Sequence, residues 1–118
     1  MPPDYHAFIW DMREHLLMIE RLTHGLTLAD VLGDDARRLA VERCIMIVGE
    51  AANRVPRHDR ERHPEIPWDG IVRQRNVLAH MYGGLDWDRL WGIVETHAPA
   101  LRAQLDAIVI EPPTEPNT

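Results

Sequence analysis

The sequence predicts an all-α fold, an antiparallel bundle of four to five main helices. Three observations predict it. Apolar residues recur at helical spacing over long stretches. Those stretches open on aspartate or threonine and close near glycine or proline, residues that start and stop helices. No stretch keeps the two-residue alternation of a half-buried strand.

The first helix is expected to open at Asp4, an N-cap placed after Pro2 and Pro3. Tyr5, Phe8, Ile9, Met12, Leu16, Ile19 and Leu22 form its apolar side, and Gly25 stops it. The segment "TLADVLG" reads as a short helix between Thr27 and Gly33. Asp34 or Asp35 then caps a long helix from about Ala36 to Arg54, with Leu39, Ala40, Cys44, Ile47, Val48 and Ala51 as its inward stripe. Pro56 lies just past its end. The Arg/His-rich connector "RHDRERHPEIPW" has room for one helical turn. The next helix runs from Trp68 to Ala79 or His80 and closes at "YGG". Asp86 caps a further helix carrying Leu90, Trp91, Ile93 and Val94. Pro99 sits in the first turn of a last helix through Leu101, Leu105 and Ile108.

With 118 residues, 45% of them hydrophobic, the chain suits a single domain over residues 1–110. The Pro-rich remainder, 111–118, reads as a disordered tail. The one cysteine, Cys44, rules out an intramolecular disulfide, and its apolar setting suits a reduced, buried thiol in a cytoplasmic protein. No leader peptide and no membrane span are expected.

The net charge is -6, against the basic balance of a protein that coats duplex DNA. The charge is uneven, however. Residues 54–75 hold six arginines against four carboxylates, a local net of +2. All 13 basic residues are arginine, a bias that genome composition also produces and that does not by itself indicate phosphate recognition, although arginine suits two-point contact with phosphate better than lysine does.

The chemistry concentrates in "RNVLAHMY", residues 75–82. Asn76 and His80 are four apart and share a helix face. Arg75 and His80 are five apart, about 140° around the helix axis, yet a long arginine reaches round. Tyr82 falls just past the helix end. Cleaving RNA without a metal needs a base for the 2′-hydroxyl, an acid for the leaving 5′-oxygen and a cation for the phosphate. Histidine serves as base or acid near neutral pH. Arginine clamps phosphate oxygens, and asparagine orients an imidazole or donates to a non-bridging oxygen. One motif holds one histidine, so a complete set needs two chains facing across a two-fold axis. The same residues also read without catalysis, with His80 as a helix C-terminal cap and Arg75 paired to a carboxylate on a neighbouring helix.

Other residues carry similar double readings. Glu50, in the apolar run "IMIVGEAA", reads as an ion pair with an arginine of the motif helix or as a support that positions Arg75 or His80. Arg54, Arg57 and Arg73 are candidates for the path by which RNA approaches, and Arg54, Arg57, Arg60 and Arg62 otherwise form a solvated face. Trp68, Trp87 and Trp91 read as core, with base stacking as the alternative. His58 and His63 lack companions with metal-ligand spacing, so no metal and no cofactor are expected.

"RNVLAHMY" resembles the R-x4-H-x-Y signature of HEPN-domain ribonucleases. "IMIVGEAANRV" and "HPEIPWDGIVRQRNVLAHMYGGLDWDRLWGIV" are similar to the corresponding blocks of the HepT toxins of HepT–MntA toxin–antitoxin pairs, in order and spacing, from about Tyr5 to Leu105. Met81 departs from the family, where an acidic residue is frequent.

The resemblance implies a HEPN helical bundle and a homodimer whose motifs meet at a cleft. It implies a metal-independent endoribonuclease of a type VII-like pair acting on mRNA or tRNA, with Arg75 and His80 catalytic and Asn76 supporting. It also implies that the partner, a MntA-type minimal nucleotidyltransferase, silences the toxin by AMP transfer to Tyr82. The competing class is a non-catalytic helical partner or substrate-binding subunit of a nucleotidyltransferase. Such relatives usually lack the Arg–His pair, which this chain has.

Overall fold

A computed structural model describes residues 4–80 and 85–108, except for the side chains of Ala79 and His80. The helices are α1 (Tyr5–Thr23), α2 (Leu28–Leu32), α3 (Asp35–Arg54), α4 (Arg57–Arg60), α5 (Trp68–His80), α6 (Trp87–Gly92) and α7 (Ala98–Asp106). A π-helical turn, Ile93–His97, joins α6 to α7. No strand occurs among the described residues. The fold is the expected all-α bundle, with α1, α3, α5 and the α6–α7 rod as its four main members.

Side-chain caps explain where α1, α2, α3 and α6 begin. The Asp4 side chain accepts from the His6 amide, and the first helix ends before Gly25, whose φ of +73° suits a residue without a Cβ. Thr27 and Asp30 form a reciprocal capping box for α2. Asp34 caps α3 and Asp86 caps α6, each accepting an amide three residues on. The connector supplies its one helical turn as α4.

Helices α1 and α3 make the most extensive contact, and α5 also packs on α3. Ile9, Met12, Leu16 and Ile19 of α1 are buried at 3- and 4-residue steps, as expected. In α3 the stripe differs from expectation. Val41, Cys44, Ile45, Val48, Gly49, Ala51 and Ala52 are buried, whereas Leu39 is 54% exposed and Ala40 and Ile47 are only half-buried. The reason is that α3 packs against two partners, so its buried side is a broad band rather than one narrow stripe. An apolar run that is nearly continuous from Cys44 to Val48 leaves the phase of that band undetermined by sequence.

The last two helices are joined rather than separate. Ala98 N–H donates to Ile93 O, five residues back. This wide turn comes just before Pro99, which lacks an amide hydrogen and would disrupt a regular ladder. Leu90, Val94, Ala98, Leu101 and Leu105 carry the rod's buried side. Trp68 and Trp87 are also buried, so the core reading holds for both. Trp68 Nε1 donates to the carbonyls of Arg60 and His63 and pins the connector, while Trp87 Nε1 donates to Glu42 at 2.7 Å. Trp91 is half-buried against the core. No helix among the described residues is long and apolar enough to cross a membrane.

Candidate functional site

Helix α5 presents two very different sides. Trp68, Ile71 and Leu78 turn toward the core, and the helical register places the Cα of Arg75 on that same side. On the opposite side Arg73, Asn76, Val77 and the backbone of His80 follow i, i+3, i+4, i+7 spacing. Arg73, Asn76 and Val77 are exposed, Val77 to 42%.

Arg75 connects the two sides. Its stem crosses α3 at Gly49, and its guanidinium emerges beside Asn76. Arg75 Nη1 donates to Asn76 Oδ1 at 3.0 Å. Glu50 Oε1 lies 3.7 Å from Arg75 Nη2, an ion pair outside hydrogen-bond range. Arg75 Nε is buried and has no hydrogen-bond partner among the described residues. An unmet buried donor on a cation is costly. The guanidinium thus keeps hydrogen-bonding capacity that nothing described in the chain uses.

Glu50 is the carboxylate partner that the sequence left open. It is less buried than its apolar neighbours suggest, with a side chain 38% exposed. Its place at the edge of the α3–α5 contact lets the carboxylate face solvent on one side and Arg75 on the other.

The structure brings Arg75, Asn76 and Glu50 together. Arg54 is exposed one turn beyond Glu50 on the same side of α3. Arg73 is exposed one turn before Asn76, and Arg57 is exposed at the start of α4. None of these three arginines is ion-paired among the described residues, whereas Arg60 donates to the carbonyls of Val55 and Asn53 and serves the connector. Arg57 borders a shallow hollow with Arg60, Pro67 and Trp68 whose lining does not include Arg75. His80 closes α5, but its side chain lies outside the described residues, and so does Tyr82. Among the described residues no group of three or more histidine, cysteine or acidic side chains could hold a metal ion.

Gly49 is the site residue that sequence reasoning missed. The available signal was a glycine in the interior of a long helical pattern, which asks for a packing or functional reason. A separate cleft of about 720 Å³ opens between α5 and the α6–α7 rod. Ile71 and Gln74 line it, but Arg75, Asn76 and Glu50 do not, so it is distinct from this cluster.

Comparison with known proteins supplies the lineage. A "Probable ribonuclease HepT" of Thermococcus cleftensis is 32% identical over 108 residues, covering 92% of this chain and 98% of the relative. A Methanocaldococcus jannaschii protein named "Putative RNase MJ1216" is 28% identical over 106 residues, covering 90% and 88%. No solved structure matches the chain. The family model described as ribonuclease HepT-like matches residues 12–108, which include both the motif helix and the Gly49–Glu50 segment of α3, and the chain belongs to the HepT-like ribonuclease family.

Proposed function

We propose that this chain is a metal-independent endoribonuclease toxin that cleaves mRNA or tRNA, with Arg75 and His80 as catalytic residues and Asn76 as their support. The observation that carries the reading is the state of Arg75. Its guanidinium surfaces next to Asn76 with the side chain 32% exposed, and Nη1 is bonded to Asn76 while Nη2 only faces Glu50 at 3.7 Å. A phosphate oxygen is the acceptor such a fork suits. Asn76, one helical turn before His80, both fixes the guanidinium and stands on the histidine's side of the helix.

Each chain contributes one such histidine, and acid–base cleavage uses two proton-transfer positions. We therefore propose a homodimer with the Arg73–Asn76–Val77–His80 faces meeting around the cleft. An exposed valine at the centre of that polar face is consistent with partial burial between copies. RNA would approach along Arg54, Arg57 and Arg73. A minimal nucleotidyltransferase of the MntA type would silence the enzyme by transferring AMP to Tyr82. That phosphate, two residues past His80, would compete for Arg75 and repel the RNA backbone.

The deciding experiment is RNA cleavage in the presence of a chelator, comparing the parent with Arg75→Ala and His80→Ala. Losses of about 10²–10⁴-fold are expected, the range of a positioned acid–base or charge-stabilising group. Variants that cut as well as the parent would end the catalytic assignment of Arg75 and His80, whereas a parent that cuts no RNA would leave the chain as a non-catalytic helical partner of a nucleotidyltransferase. Incubation with the partner and ATP should add one AMP to the parent and none to Tyr82→Phe, read by intact mass.

A further inference from the structure

Gly49 lies in the middle of α3, where glycine weakens a helix relative to alanine. Its neighbour across the helix contact explains its presence. A Cβ at position 49 would stand 2.7 Å from Arg75 Cγ and 3.3 Å from Arg75 Cα, and nearer still to Arg75 Cβ. Real Cβ atoms essentially never come within 3.0 Å of a non-bonded heavy atom from elsewhere in the chain. The obstructed atoms are the root of the arginine and its backbone, not a free side-chain tip. Rotating the guanidinium away would not relieve the overlap, so α3 and α5 would have to separate.

This arrangement settles an apparent conflict in the site. The register puts Arg75 on the apolar, inward side of α5, where a guanidinium would be trapped away from water. The space left by Gly49 carries the stem across α3 and delivers the cationic end beside Asn76. Glu50 is the next residue along α3, so its distance to Nη2 depends on the same close approach.

We propose that Gly49 is a positioning residue for Arg75: the absent side chain is the seat that aims the guanidinium at the substrate phosphate. This inference rests on the ribonuclease reading above and assigns it a residue that the motif does not contain.

A double-variant cycle tests it in the full chain, with far-UV circular dichroism and thermal unfolding measured alongside RNA cleavage. Gly49→Ala is expected to keep its helical signal and KM while kcat falls about 100-fold, the effect of roughly an ångström of misplacement at a reacting centre. In an Arg75→Gly background there is no stem to seat, so adding Gly49→Ala should leave the residual rate where it was. If Gly49→Ala alone fails to fold, the double variant decides. Folding restored by Arg75→Gly supports the seat, and folding not restored overturns it. A folded Gly49→Ala chain with the parent's kcat overturns the inference. So does a Gly49→Ala loss of the same size with and without Arg75, since Gly49 would then act on the fold alone. If Arg75→Ala itself cuts like the parent, the catalytic assignment of Arg75 falls first and takes the inference with it.

Discussion

Arg75, Glu50 and Cys44 show how a residue's surroundings decide its chemistry. Glu50 and Arg75 face each other at 3.7 Å with both side chains about one-third exposed, so water screens the pair. Exposed pairs are worth about 0–1 kcal/mol. Glu50→Gln should therefore cost less than about 1 kcal/mol in urea unfolding. If Glu50 helps to aim the guanidinium, the same variant should show its larger effect in cleavage. Cys44 is the opposite case. Burial pushes its thiol above the ordinary cysteine range, with a small opposing effect from Arg21. Because the thiolate is the reactive form, an aromatic disulfide reagent should label Cys44 slowly in the native protein and rapidly in urea. Fast labelling of the folded chain would contradict this burial.

Among the elements, α3 carries the main correction to the sequence reading. Its inward stripe was expected to include Leu39, yet Leu39 faces water while Val41, Cys44, Ile45 and Val48 are buried. Leu39→Ala should change stability by no more than about 0.5 kcal/mol, as surface changes do. Leu16→Ala, from the buried side of α1, should cost about 2–5 kcal/mol. Denaturant midpoints measure both, and near-equal losses would mean that the stripe was misassigned. The α3 N-terminus gives a sharper local test. The Asp34 side chain accepts from Arg37 N at 3.1 Å, so Asp34→Ala should cost about 1 kcal/mol. The caps and the glycine stop were legible because they depend on neighbours a few residues apart. The phase of α3 was not, because two partners cover it and an apolar run does not say which sides they take.

For the molecule as a whole, charge both ties the bundle together and sets how it meets a polyanion. Arg13 of α1 and Arg102 of α7 both bond Asp106, and Arg102 also donates to Glu20 of α1 at 2.7 Å. The hydrogen bond from Arg13, assisted by Arg102, holds the Asp106 carboxyl below the usual aspartate range. A lowered folded value means that the unfolded chain binds the proton more tightly. The stabilisation is present above the unfolded aspartate pKa and is lost as pH falls through the lower folded value. Thermal unfolding across an acid series should show this loss in the parent and a flatter profile in Asp106→Asn. The second whole-molecule test concerns RNA. The total charge is -6 while residues 54–75 hold a net +2, so binding should depend on that local arc and weaken with salt. In a His80→Ala background, Arg73→Ala should lower the magnitude of the log–log salt slope for single-stranded RNA by about 0.7, the value of one phosphate contact. An unchanged slope would remove Arg73 from the RNA path.

The sequence by itself determined the helices, their caps, the all-α class and the RNVLAHMY motif, and its blocks resembled the family to which the chain belongs. These are carried by short spacings and by residue chemistry that needs no distant partner. Tertiary structure alone decided that Arg75 begins on the buried side of its helix, passes over Gly49 and surfaces between Asn76 and Glu50. It also decided that Leu39 is outside and that α6 runs into α7 through a π turn. The physical reason is common to the first two, while the π turn answers to Pro99 beside it. Close packing is a relation between residues far apart in the chain, such as Gly49 and Arg75, and local periodicity contains no term for the distance between two helices.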